Sequence, residues 1–157
     1  MLTGEWVTGS PEETLELGRQ LATQLRPPVL VLLAGELGAG KTTLAKGLIA
    51  GLGAANEEDV TSPTFTLVHI FRRRVTVYHV DLYRIASFRD LETIGLEDIF
   101  AEPAVVVVEW PEKFTLRVDW PVVRVWLEHA GEDRRRIRVE AGCGRGGVEA
   151  GRESVAD

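Results

Sequence analysis

Cysteine is nearly absent from this chain. Cys143 is the only one among 157 residues, which excludes an intrachain disulfide and a cysteine-based metal cluster. That usage fits a reducing compartment. Lysine is scarce too: of 18 basic residues only Lys41, Lys46 and Lys113 are lysines. Long apolar runs are missing, and none approaches the roughly 18 residues of a membrane span. No basic segment followed by an apolar stretch opens the chain, so no signal peptide is expected. Positive charge is in deficit, 18 basic against 24 acidic residues, for a net charge of −6. A stand-alone nucleic-acid binder needs the opposite balance to displace counterions from phosphates. These absences predict a soluble, cytoplasmic protein without a membrane partner. What is present is ordinary for a globular chain: 45% hydrophobic and 27% charged residues, in a length that suits one domain.

The order of elements follows from apolar periodicity. Ser10-Pro11-Glu12-Glu13 reads as a helix start, with a capping serine, a proline at the first helical position and a glutamate closing a capping box. Leu15, Gly18, Leu21, Ala22 and Leu25 keep a helical period until Pro27-Pro28. Val29 to Ala34 is continuously apolar, as in a strand buried on both faces of a parallel sheet. A glycine-rich turn leads to a second helix carrying Leu44, Ala45, Leu48, Ile49 and Leu52 on one side, with Gly53 at its end. Phe65 to Ile70 and Val75 to Val80 predict a hairpin through Phe71-Arg72-Arg73-Arg74. Phe88 to Phe100 reads as a short acidic helix or pair of turns broken at Gly95, and Ala104 to Val108 as a second buried strand. Val122 to Glu128 and Arg134 to Glu140 alternate around Ala130-Gly131-Glu132-Asp133, a second hairpin. Residues 142–157 hold five glycines and almost no large apolar side chain. They are expected to be a disordered tail behind a domain of residues 1–141. The pattern predicts a three-layer α/β domain with a mixed, mainly parallel central sheet and antiparallel hairpin additions.

Gly35-Glu36-Leu37-Gly38-Ala39-Gly40-Lys41-Thr42 satisfies the phosphate-binding loop pattern G-x-x-x-x-G-K-[ST] in full. The glycines let the backbone curl so that successive N–H groups face phosphate oxygens. The following helix adds its partial positive charge. In such loops the lysine, here Lys41, reaches the β- and γ-phosphates, and the hydroxyl, here Thr42, is a Mg²⁺ ligand. The position between a buried strand and an amphipathic helix argues against an accidental glycine turn. A nucleotide and Mg²⁺ are the ligands this predicts, in a domain of the P-loop NTPase kind. Thr43 continues the loop, and Lys46, one turn on, reads as a solvated helix residue.

Such a loop needs a carboxylate at the end of a neighbouring buried strand. Glu109 follows four valines at 105–108, where open α/β sheets bind ligands. Asp81, just past a strand end, could orient an attacking water or simply cap a turn. Trp110 could pack as core or lie beside the nucleotide. Thr61-Ser62-Pro63-Thr64 could be a γ-phosphate-sensing switch or an ordinary loop. His79 reads as a packed histidine, His69 and His129 as structural, and Lys113 as surface.

Taken together, G-E-L-G-A-G-K-T-T at 35–43, T-S-P-T-F at 61–65, H-V-D-L-Y-R at 79–84, G-L-E-D at 95–98 and V-E-W-P-E-K at 108–113 resemble the TsaE (YjeE) family over roughly residues 6–140. The resemblance implies an ATPase supporting the synthesis of N6-threonylcarbamoyladenosine at position 37 of tRNAs that read A-starting codons. It implies a TsaD–TsaB heterodimer as partner, with tRNA reached only through that complex. By position it places Gly35 to Thr43 and Lys41 on phosphates, and Thr42 and Glu109 on Mg²⁺. It gives Asp81 a part in hydrolysis, makes Thr61 and Thr64 switch residues, and sets Trp110 beside the nucleotide. Rivals lack their signatures: there is no N-K-x-D guanine reader and no L-S-G-G-Q transporter motif. A small-molecule kinase should carry an arginine-rich lid, whereas Arg72-Arg73-Arg74 sits on a hairpin tip. The kinase stays the main enzyme alternative, and a nucleotide-dependent binding module with little turnover is the other. No internal arginine stands out as a finger, so slow, partner-dependent turnover is expected.

Overall fold

The computed structural model describes residues 2–36, 38–63, 67–111 and 118–142. Leu37, Thr64, Lys113 and the predicted tail from Cys143 onward lie outside the described residues. Along the chain run β1 (Gly4–Thr8), α1 (Pro11–Ala22), β2 (Val29–Gly35), α2 (Lys41–Gly51), β3 (Val68–Arg72), β4 (Thr76–Asp81), α3 (Phe88–Ile94), α4 (Leu96–Ile99), β5 (Val105–Glu109), β6 (Val122–His129) and β7 (Arg135–Gly142). Gly142, assigned from sequence to the tail, closes β7. No helix among the described residues is long and apolar enough to cross a membrane.

The strands form one sheet in the order β1-β7-β6-β2-β5-β4-β3. β6, β2, β5 and β4 run parallel. The β3–β4 and β6–β7 hairpins are antiparallel, as is β1 on β7. The mixed sheet with a parallel centre is therefore as expected. Because strand side chains alternate between faces, β2 supplies two cores at once. Val29, Val31 and Leu33 pack with Leu17 and Leu21 of α1 and Leu44, Leu48 and Ile49 of α2. Leu30 and Leu32 pack on the other side with Val106, Val108, Leu82, Ile85 and Ile99. Each fully buried aliphatic side chain contributes about 1.5–3 kcal/mol relative to exposure.

Helices α1 and α2 touch backbone to backbone. A Cβ on Gly18 would lie 2.6 Å from the Leu44 carbonyl oxygen, and one on Gly47 would strike the Leu15 carbonyl oxygen. Only glycine permits that approach, and it brings the start of α2 firmly under the sheet. Ser10 caps α1 as expected, its Oγ accepting from Glu13 N at 3.1 Å. Glu13 Oε1 accepts from Gly9 N at 2.6 Å, so the box closes one residue earlier than the simple pattern.

Strand β3 runs on through Phe71 and Arg72, which the sequence reading places in the hairpin turn, and β1 and α1 differ from that reading too. Strand β1 was not anticipated. Its register, Trp6 opposite Ile137, gives those five residues a place only once β7 exists. Helix α1 stops at Ala22 rather than at Pro27-Pro28, because Thr23 takes the cap and its hydroxyl donates to Gln20 O at 2.7 Å. Leu25 is nonetheless buried in the core.

Candidate nucleotide site

The site lies at the C-terminal ends of the parallel strands, on the side covered by α2. β2 delivers the chain into the loop, and α2 begins at Lys41. Gly35 has φ +156°, and a Cβ there would collide with the Leu127 carbonyl oxygen of β6. Gly40 caps α2 in the left-handed region, φ +102°, without a side-chain cap. The first turn of a helix carries N–H groups without intrahelical partners. Those of Thr42 and Thr43 are suited as anion donors at the positive end of the helix dipole.

Lys41 is only 5% exposed. Its Nζ donates to Gly35 O at 2.5 Å and Glu36 O at 3.0 Å. It also stands 3.8 Å from the centroid of the Trp110 ring, within cation–π range. Glu36 itself is exposed, Ala39 is buried, and Thr43 borders a hollow lined by Pro11, Thr14, Gly38, Gly40, Asp133 and Arg135.

The partner strands bring in the carboxylates. Glu109 ends β5, opposite Leu33 of β2 on one side and Asp81 of β4 on the other. It is 2% exposed. Thr42 Oγ1 donates to it, 3.2 Å from Oε1 and 3.4 Å from Oε2, across 67 residues of sequence. Its Oε2 also lies 2.6 Å from His79 Nε2. Asp81, also 2% exposed, accepts from Ser62 Oγ at 2.9 Å and from Tyr83 N at 2.8 Å. The second bond is an aspartate turn. The first ties the 61–63 stretch to the end of β4.

Trp110 follows Glu109 with φ +62°, a region rare for a bulky side chain. Such outliers cluster at functional sites because the surrounding structure must hold them. Here the Trp110 N–H bonds Leu33 O at 3.3 Å, and the ring meets Tyr83 at 4.8 Å between centroids. The structure thus brings together Lys41, Thr42, Asp81, Glu109 and Trp110. Thr61 is exposed.

Sequence reasoning missed several participants. Ser62 supplies a hydroxyl to Asp81. His79 reaches Glu109. Arg135 places Nη2 3.3 Å from Gly38 O, which no motif announces because the contact depends on the β6–β7 hairpin folding back beside the loop. His69, on edge strand β3, has its pKa lowered from 6.5 by burial and then by the neighbouring His79, while a hydrogen bond to the Thr61 backbone opposes the shift.

The family model described as threonylcarbamoyl adenosine biosynthesis protein TsaE matches residues 8–137. The chain belongs to the TsaE family. Relatives named tRNA threonylcarbamoyladenosine biosynthesis protein TsaE agree over most of their length. The one from Treponema pallidum is 37% identical, spanning 85% of this chain and 97% of its own. Those from Bacillus subtilis and Streptomyces coelicolor are 35% and 41% identical, spanning 87% and 82% of this chain and 85% and 80% of their own. A crystal structure of Bacillus subtilis YdiB superposes with a TM-score of 0.68 at 30% identity, covering 89% of this chain and 86% of that one. The family is one of tRNA threonylcarbamoyladenosine biosynthesis.

Proposed function

We propose that this TsaE-family chain binds and hydrolyses ATP with Mg²⁺, and that its turnover supports a TsaD–TsaB complex as it modifies tRNA. One observation carries the reading. Lys41 and Thr42, at the start of α2, converge with Glu109 at the end of the adjacent buried strand. The backbone N–H groups of the loop and Lys41 would hold the phosphates. The oxygens of Thr42 and Glu109 are hard donors, and one or two such protein oxygens together with phosphates are how Mg²⁺ is commonly held. When bound there, the ion supplies neutralisation of charge on the phosphate oxygens. Asp81 or Glu109 orients the attacking water. Through Ser62, Asp81 also couples that water to the 61–64 segment, the proposed γ-phosphate sensor. Trp110 shields Lys41 from solvent and lies beside the nucleotide.

The partner completes the site, so turnover is slow for the isolated chain. A net charge of −6 supports a division of labour in which the partners hold the tRNA. The decisive measurement is release of inorganic phosphate, with and without TsaD–TsaB. Lys41→Ala should abolish release in both conditions while circular dichroism stays native. Normal turnover by this variant would overturn the site. Phosphate appearing on a second substrate instead of in solution would make the chain a kinase.

A further inference from the structure

Strand β4 places a histidine where the fold asks for an aliphatic side chain. His79 is fully buried and shares a sheet face with Val77 and with Val105 and Val107 of β5, all in the core under α2. Among the described residues its Nδ1 has no hydrogen-bond partner, although buried polar atoms are nearly always paired. A valine or leucine would leave no such orphan. Among the described residues, the polar contact His79 makes is the 2.6 Å bond to Glu109 Oε2. A carboxylate only accepts, so Nε2 carries the proton. The register explains the reach: Asp81 is opposite Glu109, and His79 is opposite Val107. His79 is therefore the diagonal neighbour of Glu109 on one face, within range of a long side chain.

We propose that His79 is a positioning residue, whose Nε2–H holds Glu109 Oε2 and so turns the carboxylate toward Thr42. With one oxygen anchored from below by β4, the other is kept 3.2 Å from Thr42 Oγ1. The pair of oxygens proposed to hold Mg²⁺ is then set before any ion arrives. His79 does not itself touch nucleotide or metal; it acts through Glu109. This role rests on the nucleotide–magnesium reading of the preceding section. It extends that reading from the ligands to the group that orients one of them, as outer-shell partners do at metal sites generally.

The test uses the full chain and reads binding rather than turnover. Calorimetry follows the β,γ-imido analogue of ATP at fixed concentration while Mg²⁺ is titrated. His79→Leu should raise the Mg²⁺ concentration for half-maximal binding by about 10-fold or more, the usual cost of removing an outer-shell partner. His79→Gln, whose amide nitrogen can reach the position of Nε2, should restore most of the response. His79→Asn, whose amide mimics the Nδ1 position, should not; it also replaces the leucine variant if that variant fails to fold. In a Glu109→Gln background, His79→Leu should cause no additional shift. Overturning results are an unmoved titration in His79→Leu, an equal shift in the leucine and glutamine variants, or an undiminished shift without Glu109. If the wild-type chain fails to bind the analogue with Mg²⁺, both this role and the site itself are rejected. If wild type binds and His79→Leu is unmoved, only the positioning role falls.

Discussion

All five residues of β5 are buried, whereas only two of the eight in β7 are. Both strands belong to the same sheet. β5 sits at its parallel centre with a core on each face, so no side chain along its length can meet water. Polar groups are confined to where the strand ends, and that is where Glu109 stands. Asp81 ends β4 and Gly35 ends β2 in the same way. β7 lies toward the antiparallel flank. Ile137 and Val139 face the core, while Arg136, Arg138 and Glu140 face solvent. The contrast teaches why the candidate site is so compact. A doubly covered sheet pushes its chemistry to one edge, and the α2 dipole meets it there.

Truncation should separate the two regions most sharply. Leu30, fully buried at the centre, should cost about 2–5 kcal/mol as Leu30→Ala. Val7, 56% exposed on flanking strand β1, should change stability by less than about 0.5 kcal/mol as Val7→Ala. Urea denaturation midpoints measure both, and similar losses would erase the contrast. The layer that covers the centre is the next place to press. Alanine is the better helix former by about 1 kcal/mol. Gly47→Ala should nevertheless destabilise by about 1–3 kcal/mol, because the added Cβ drives α2 away from the Leu15 carbonyl. A stabilised variant would show that the two helices can slide apart freely. On the wet face of the flank, Arg138 stacks 4.3 Å from the centroid of Trp126. Arg138→Ala should cost about 0.5–1 kcal/mol, readable in the same denaturation series. A loss as large as that of Leu30→Ala would mean the flank is not peripheral.

The same division governed what could be read from sequence. β2 and β5 were legible because a doubly buried strand is continuously apolar. β6 and β7 were legible because a half-buried hairpin alternates. β1 was not: its five residues include Gly4 and Glu5, and they become a strand only through their register with β7. The end of α1 was misplaced because Leu25 keeps the helical period while lying outside the helix. In the site, Lys41 and Thr42 are fixed by local spacing, so a motif reveals them. Glu109 was reachable as the polar end of an apolar run. The bonds from Ser62 to Asp81 and from His79 to Glu109 span 19 and 30 residues. They depend on strand register and on which face meets α2, and no local pattern encodes either.

Edge strand β3 offers the finest probe of the contrast, because His69 sits there facing His79 of its central neighbour β4. Burial, and then the neighbouring His79, lower the His69 pKa below 6.5 in the folded chain, against the pull of the Thr61 backbone. A lowered folded value means that the unfolded chain takes up the proton first as pH falls. The stability linked to His69 is therefore fully present above about pH 6.5 and is lost as pH drops through the folded value. His69→Gln removes this ionisation and keeps a polar side chain at the sheet edge. The difference in unfolding free energy between wild type and His69→Gln should accordingly shift against the wild type on going from pH 8 to pH 5. The shift should be the smallest effect in the series, since His69 is only partly buried. A difference that stays flat, or that moves in favour of the wild type on acidification, would show that the edge histidine is solvated like a flank residue and does not feel the buried centre beside it.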